Sequence, residues 1–194
     1  MHAVKRMDGR HARTVRTNAA IVTALVELLD EGHIEPTAAE IAKRAGVATR
    51  SIAQHFASRE DLLLAVAKHH AERFASSPID ATGSFADRLA RFVDARANLL
   101  EATRAMRGAG AVVAWRSPGV KRALETAERN RRDETSTLFA REIAASDEPK
   151  ETERALALVT SGRAWDAMRV DLALTRANAA ALLERTVRDT LHRR

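Results

Sequence analysis

The stretch Thr37–Arg59, T-A-A-E-I-A-K-R-A-G-V-A-T-R-S-I-A-Q-H-F-A-S-R, constrains this chain more than any other. Thr37 and Glu40 have capping-box spacing, in which the Thr hydroxyl accepts the third backbone N–H and the Glu carboxylate reaches back to the first. Ile41, Ala42 and Ala45 then give a short helix one apolar face. Gly46 stands where the chain must leave that helix with positive φ, and Val47 returns toward the core. A second short helix follows, with Ile52 and Phe56 four apart on its inner side. Its other side carries Thr49, Arg50 and Gln54, flanked by Ser51 and His55. Two short helices joined by a Gly turn, the second with apolar anchors inside and Arg/Gln outside, fit a DNA-reading helix-turn-helix. An ordinary αα-hairpin of a helical protein is the competing reading of this stretch alone.

The surroundings separate the two. The run A-G-V-A-T-R-S-I-A-Q-H-F-A-S-R-E-D-L-L, preceded by L-L-D-E-G and T-A-A-E-I-A, resembles the DNA-binding domain of TetR-family transcriptional regulators over about residues 10–75. That resemblance implies an operator-binding homodimer with a helical second domain that binds a small-molecule effector. It assigns DNA contacts to Thr37, Thr49, Arg50, Ser51, Gln54, His55 and Arg59. Two positions depart from the family pattern: Ala53 replaces the usual phosphate-contacting Tyr, and Ala48 replaces a small polar residue. More of the grip on phosphate then falls to Arg59 and to the basic N-terminal arm.

That arm carries Lys5, Arg6, Arg10, Arg13 and Arg16 against Asp8 alone. Such a segment either follows phosphates and enters a minor groove, with Arg13 and Arg16 nearest the domain, or is a solvated tail. Between Thr37 and Arg59 the cations Lys43, Arg44, Arg50 and Arg59 face only Glu40, and the acids Glu27, Asp30, Glu31 and Glu35 lie outside. The whole chain has a net charge of +6, compatible with a polyanionic partner.

With 194 residues, 45% of them hydrophobic, one or two domains with buried cores are within reach. No apolar run is long enough to span a membrane, and no apolar leader follows the N-terminus, so a cytoplasmic protein is expected. Cysteine is absent, which excludes disulfides and thiolate chemistry. Few Gly and Pro among abundant Ala, Leu, Arg and Glu favour an all-α fold. Helices are expected at about 16–31, in the hairpin, from Ser58 to 76, at 84–107, from Pro118 to 145, at 150–172 and at 176–192. Ser84 with Asp87 forms a second capping box, Thr175 caps the last helix, and Gly108 and Gly110 loosen the chain before A-V-V-A-W. Residues 1–57 are thus assigned to the arm and helix-turn-helix domain and 58–76 to a connecting helix. Residues 77–194 form a helical effector-binding and dimerisation domain.

No catalytic or nucleotide-binding motif is present, and adjacent His69 and His70 point about 100° apart on a helix, unsuited to one ion. An enzyme, a cofactor and a metal are not expected. In the second domain polar residues interrupt apolar stripes: Arg96 within Phe85/Leu89/Phe92/Leu99/Leu100/Thr103, and Arg131, Glu134 and Thr135 within Val120/Leu124/Ala127/Leu138. His69 and Arg73 share a face with Leu62 and Val66. A buried charge needs a partner. Either these are internal ion pairs, such as Arg96 with Glu134, or His69, Arg73, Arg96, Thr103, Trp115, Arg131 and Glu134 line a cationic pocket for an apolar, anionic effector. The last two helices carry the stripes Leu158/Gly162/Trp165/Met168/Leu172 and Ala179/Leu182/Leu183/Val187/Thr190/Leu191. Those stripes serve either the protomer's own core or a two-fold four-helix bundle, and the dimer is the expected use. The competing functional readings are a DNA-binding regulator without a ligand and a helical small-molecule binder that has lost DNA binding.

Overall fold

The computed structural model describes residues 9–73 and 79–192. The arm residues Lys5, Arg6 and Asp8, the side chains of Arg10 and Arg73, and residues 74–78 lie outside the described part. Among the described residues there are helices and no strand: α1 (Gly9–Asp30), α2 (Ala38–Ala45), α3 (Thr49–His55), α4 (Arg59–Arg73), α5 (Phe85–Ala102), α6 (Arg104–Ala114), α7 (Pro118–Leu138), α8 (Ala140–Ala144), α9 (Pro149–Val159), α10 (Gly162–Asp166) and α11 (Arg176–Leu191). A π-helical segment, Ala167–Asp171, continues α10. The all-α class follows from the sequence as expected.

The chain forms two compact units. The first comprises residues up to Glu72 together with Gly108–Lys121, so the corner between α6 and α7 packs with the helix-turn-helix. Its buried side chains include Ile21, Leu25, Leu28 and Leu29 of α1, Ile41 and Ala42 of α2, Ile52 of α3, and Leu62, Leu63 and Val66 of α4. These repeat at helical spacing, which is why each helix presents one apolar face.

The second unit comprises Arg73–Arg107 and Arg122–Arg194. Its core gathers Leu89, Phe92, Val93, Ala97 and Leu100 from α5, Phe139, Leu156, Trp165 and Met168, and Ala179, Leu183, Val187 and Leu191 from α11. Phe139 stands edge-on to Phe92 and Phe85, with ring centroids 5.2 and 6.2 Å apart.

Four helix boundaries differ from expectation. First, α1 begins at Gly9 rather than near Arg16, because nothing between Arg10 and Arg16 opposes a helix. Second, the helix expected over 84–107 ends at Ala102, where Thr103 (φ −101°, ψ 4°) leaves helical values before α6. Third, the helix expected to run from Pro118 to 145 breaks at Phe139, whose backbone (φ −108°, ψ 22°) departs from helical values as its ring enters the core. Fourth, the helix expected over 150–172 divides: α9 ends at Val159, and Ser161 starts α10 by accepting the Ala164 N–H at 3.1 Å. Gly108 and Gly110 lie inside α6, where a looser link was expected.

Candidate nucleic-acid interface

The hairpin is built by local rules. Thr37 and Glu40 form the full capping box: the Glu40 N–H donates to Thr37 Oγ1 at 3.2 Å and the Thr37 N–H donates to Glu40 Oε2 at 2.7 Å. At the other end of α2, Gly46 adopts φ 67°, ψ 32°, and the Val47 N–H donates to Ala42 O at 3.0 Å. A methyl group on Gly46 would meet nothing within 4 Å, so glycine is required there for its backbone angle and not for space. This turn sends the chain back across α2 into α3.

On α3 the structure places Ile52 inward and Thr49, Arg50, Ala53 and Gln54 on the exposed side, with Ser51 and His55 half-buried at the edges. Arg50 and Gln54 lie one helical turn apart, the arrangement that lets two long polar side chains reach successive base edges. Ala48 at the N-cap gives no side-chain cap bond, in keeping with the departure seen in sequence.

The remaining cations divide into exposed and engaged. Arg13 and Arg16 are exposed on the first turns of α1, and Lys43 is exposed on α2. Arg44 grips Glu31, just past the end of α1, with two bonds of 2.8 and 2.7 Å and lies 3.5 Å from Glu27 of α1. That fork holds the Glu31 carboxyl below and the Arg44 guanidinium above their ordinary values, mainly through the bonds between them. Arg44 therefore ties α2 to α1. Arg59 donates to the Pro36 carbonyl at 3.0 Å, and the Thr37 hydroxyl already donates to Glu40.

The pocket candidates belong to both units. His69 and Trp115 belong to the first unit, and Trp115 is 92% exposed. Arg96, Thr103, Arg131 and Glu134 belong to the second. There Arg96, only 1% exposed, sends Nη2 to Glu134 Oε2 at 2.9 Å, to Thr135 Oγ1 at 3.1 Å and to the Arg131 carbonyl at 3.2 Å. Its guanidinium also lies 4.9 Å from the Phe92 ring centroid. Burial lowers its pKa to about 10, against the opposing pull of Glu134. Of the two readings of Arg96, the structure shows the internal ion pair. Arg131 bonds Glu128, and the Thr103 hydroxyl accepts from Arg107 at 2.6 Å.

Sequence reasoning missed several partners because they lie far apart in the chain. Arg107 pairs with Asp166, 59 residues on, at 2.6 Å. Glu101 accepts from Trp165 Nε1 at 2.9 Å and from both Arg169 Nε and Nη2 at 3.0 Å, 64 and 68 residues on. Arg88 meets Glu142 in a mostly buried pair. No local spacing signals these.

Of the interface candidates, Trp165, Leu183, Val187 and Leu191 lie in the protomer's own core. Gly162 is also buried, where a methyl group would stand 2.7 Å from Arg107 Nε. Leu182 is partly buried, whereas Leu158 is 69% exposed. Val170 and Leu172 are exposed as well; Leu172 belongs to the stripe expected at the interface, and Val170 does not.

Among the described residues no group of three or more His, Asp or Glu could hold a metal ion, and no helix is long and apolar enough to cross a membrane. The first unit is thus a helix-turn-helix module of the kind that reads DNA, borne on an all-α chain. Residues 21–66 match the family model of bacterial regulatory proteins of the tetR family. No curated protein matches it in sequence. Among solved structures, a transcriptional regulator from Rhodococcus sp. Rha1 is similar over 92% of this chain and 95% of its own, at 21% identity and a TM-score of 0.69. A structure reported as a TetR-family transcriptional regulator from Mesorhizobium loti MAFF303099 is similar over 92% and 96%, at 18% identity and a TM-score of 0.66. The multidrug binding protein EbrR, solved with imidazole, is similar over 87% and 93%, at 20% identity and a TM-score of 0.57. These likenesses extend the shared fold across both units.

Proposed function

We propose that the chain is a homodimeric transcriptional repressor that binds a palindromic operator and leaves it when a small-molecule effector occupies the second unit. The observation that carries the reading is the exposed pair Arg50 and Gln54, one turn apart on a helix anchored from behind by Ile52. Arg suits guanine O6/N7 and Gln suits adenine N6/N7, and two-fold symmetry places two such helices about 34–36 Å apart along the duplex. An effector that changes this separation by a few ångströms spoils simultaneous docking.

An effector-binding role for the second unit draws support from its likeness to EbrR, a multidrug binding protein solved with imidazole. The anionic character anticipated for the effector loses the support of Arg96 and Arg131, which each face a carboxylate of the same chain. An apolar small molecule is the remaining expectation. Selection of bound sequences from a random DNA pool, followed by a small-molecule release screen on the selected site, tests both halves. A pool that yields no enriched palindrome removes the operator reading, and release by no compound class favours a regulator without a ligand.

A further inference from the structure

Three segments of the first unit close a ring. The loop before α2 contributes Glu35 and Pro36, the start of α4 contributes Arg59 and Glu60, and the corner between α6 and α7 contributes Arg116 and Gly119. Each segment touches the other two. Arg116 Nη2 lies 3.3 Å from Glu35 Oε1, Arg59 Nη1 donates to Pro36 O at 3.0 Å, and the Gly119 N–H donates to Glu60 Oε1 at 3.1 Å.

The third contact is the most tightly specified. The first turn of α7 has N–H groups without helical partners. Ser117 Oγ accepts that of Val120 at 3.1 Å, and the carboxylate of Glu60, from a different helix, accepts that of Gly119. A methyl group on Gly119 would stand 2.0 Å from Glu60 Oε1 and 3.1 Å from its Cδ. No carboxylate could stay there, so the bond exists only because residue 119 has no side chain. Glu60 also favours the positive end of the α7 dipole.

We propose that Glu60 is a positioning residue for DNA reading: its bond to Gly119 fixes the start of α4 against the α6–α7 corner. Through the neighbouring Arg59–Pro36 bond it then sets the entry of α2 and the pose of the hairpin. The proposal rests on the DNA-reading conclusion above. Glu60 lies beside the hairpin yet carries negative charge, so its direct electrostatic effect on DNA is repulsive. The two roles therefore predict opposite signs.

The test uses the full chain and DNA selected from a random pool by the wild type, beside a scrambled duplex. Glu60→Ala and Gly119→Ala should each weaken binding to the selected site by about tenfold, with no change in the slope of log K against log salt, because no phosphate contact is lost. The double variant should bind no worse than either single one, since both break the same bond. Glu60→Gln, which keeps an acceptor oxygen, should stay within about twofold of the wild type. In hydrogen exchange, Glu60→Ala should expose the Gly119 amide and the first amides of α2, and Glu60→Gln should not. Tighter binding by Glu60→Ala and Glu60→Gln alike, with a steeper salt slope, would overturn the proposal in favour of simple repulsion. So would additive losses, or faster exchange without any change in affinity. A wild type that selects no DNA, with the exchange pattern intact, would instead overturn the DNA-reading conclusion and the positioning role with it.

Discussion

Arg96 Nη2 and Glu134 Oε2 lie 2.9 Å apart, and the two partners differ sharply in burial: the guanidinium is 1% exposed and the carboxylate 37%. The pair is therefore asymmetric. Removing Arg96 leaves a carboxylate that can turn to water, whereas removing Glu134 leaves a cation in the core.

Glu134→Leu should accordingly cost more stability than Arg96→Met, about 3–5 kcal/mol against about 1–3 kcal/mol. The double variant should recover most of the loss, since an apolar pair of similar volume often matches a buried ion pair. Urea denaturation of the four proteins measures this. Equal losses that simply add would show that the charges act independently.

If α3 reads bases as proposed, Arg50→Ala should cost about 1–3 kcal/mol on the selected site and relax one base position in each half-site. Binding titrations on cognate and scrambled duplexes decide the matter. If both weaken equally, Arg50 contacts phosphate and reads nothing.

The pairing of Glu101 with Arg169, helped by the Trp165 indole, holds the Glu101 carboxyl below the usual carboxylate range. A carboxyl depressed in the folded state contributes stability that is present above its unfolded pKa and lost as pH falls through the folded one. The stability gap between the wild type and Glu101→Gln should thus be constant near neutrality and shrink below about pH 4.3, the usual Glu value. Denaturation midpoints across that range provide the measurement. A gap that widens with acid would reverse the sign of the assignment.

Assembly can be separated from folding by where the leucines sit. Leu183 is buried in the protomer, so Leu183→Ala should cost about 2–5 kcal/mol of folding stability whatever the oligomeric state. Leu158 and Leu172, 69% and 59% exposed, should respond in the opposite way. If they meet a second copy, Leu158→Glu with Leu172→Glu should give monomers in sedimentation while leaving the helical content unchanged. A double variant that remains a dimer would place the contact on another face.

What the sequence by itself determined was local. The Thr37–Glu40 and Ser84–Asp87 capping boxes, the Thr175 cap, the positive-φ turn at Gly46 and the inward face of α3 were all legible, because each depends on residues within four positions of one another. The stripe Leu158/Gly162/Trp165/Met168/Leu172 was legible only in part. It assumed one unbroken helix, and the restart at Ser161 and the π-helical segment rephase the chain, so Trp165 and Met168 go inward while Leu158 and Leu172 face out. Ser161 itself carried a readable cap signal that the longer apolar period masked. Only the tertiary structure could decide which charges are engaged. Arg44 meets Glu31 across 13 residues, Arg96 meets Glu134 across 38, and Arg107 meets Asp166 across 59. An amphipathic pattern shows that a side chain points inward but not what waits there. A buried arginine reads identically in sequence whether its partner is a ligand or a glutamate from another helix, and packing supplied the glutamate.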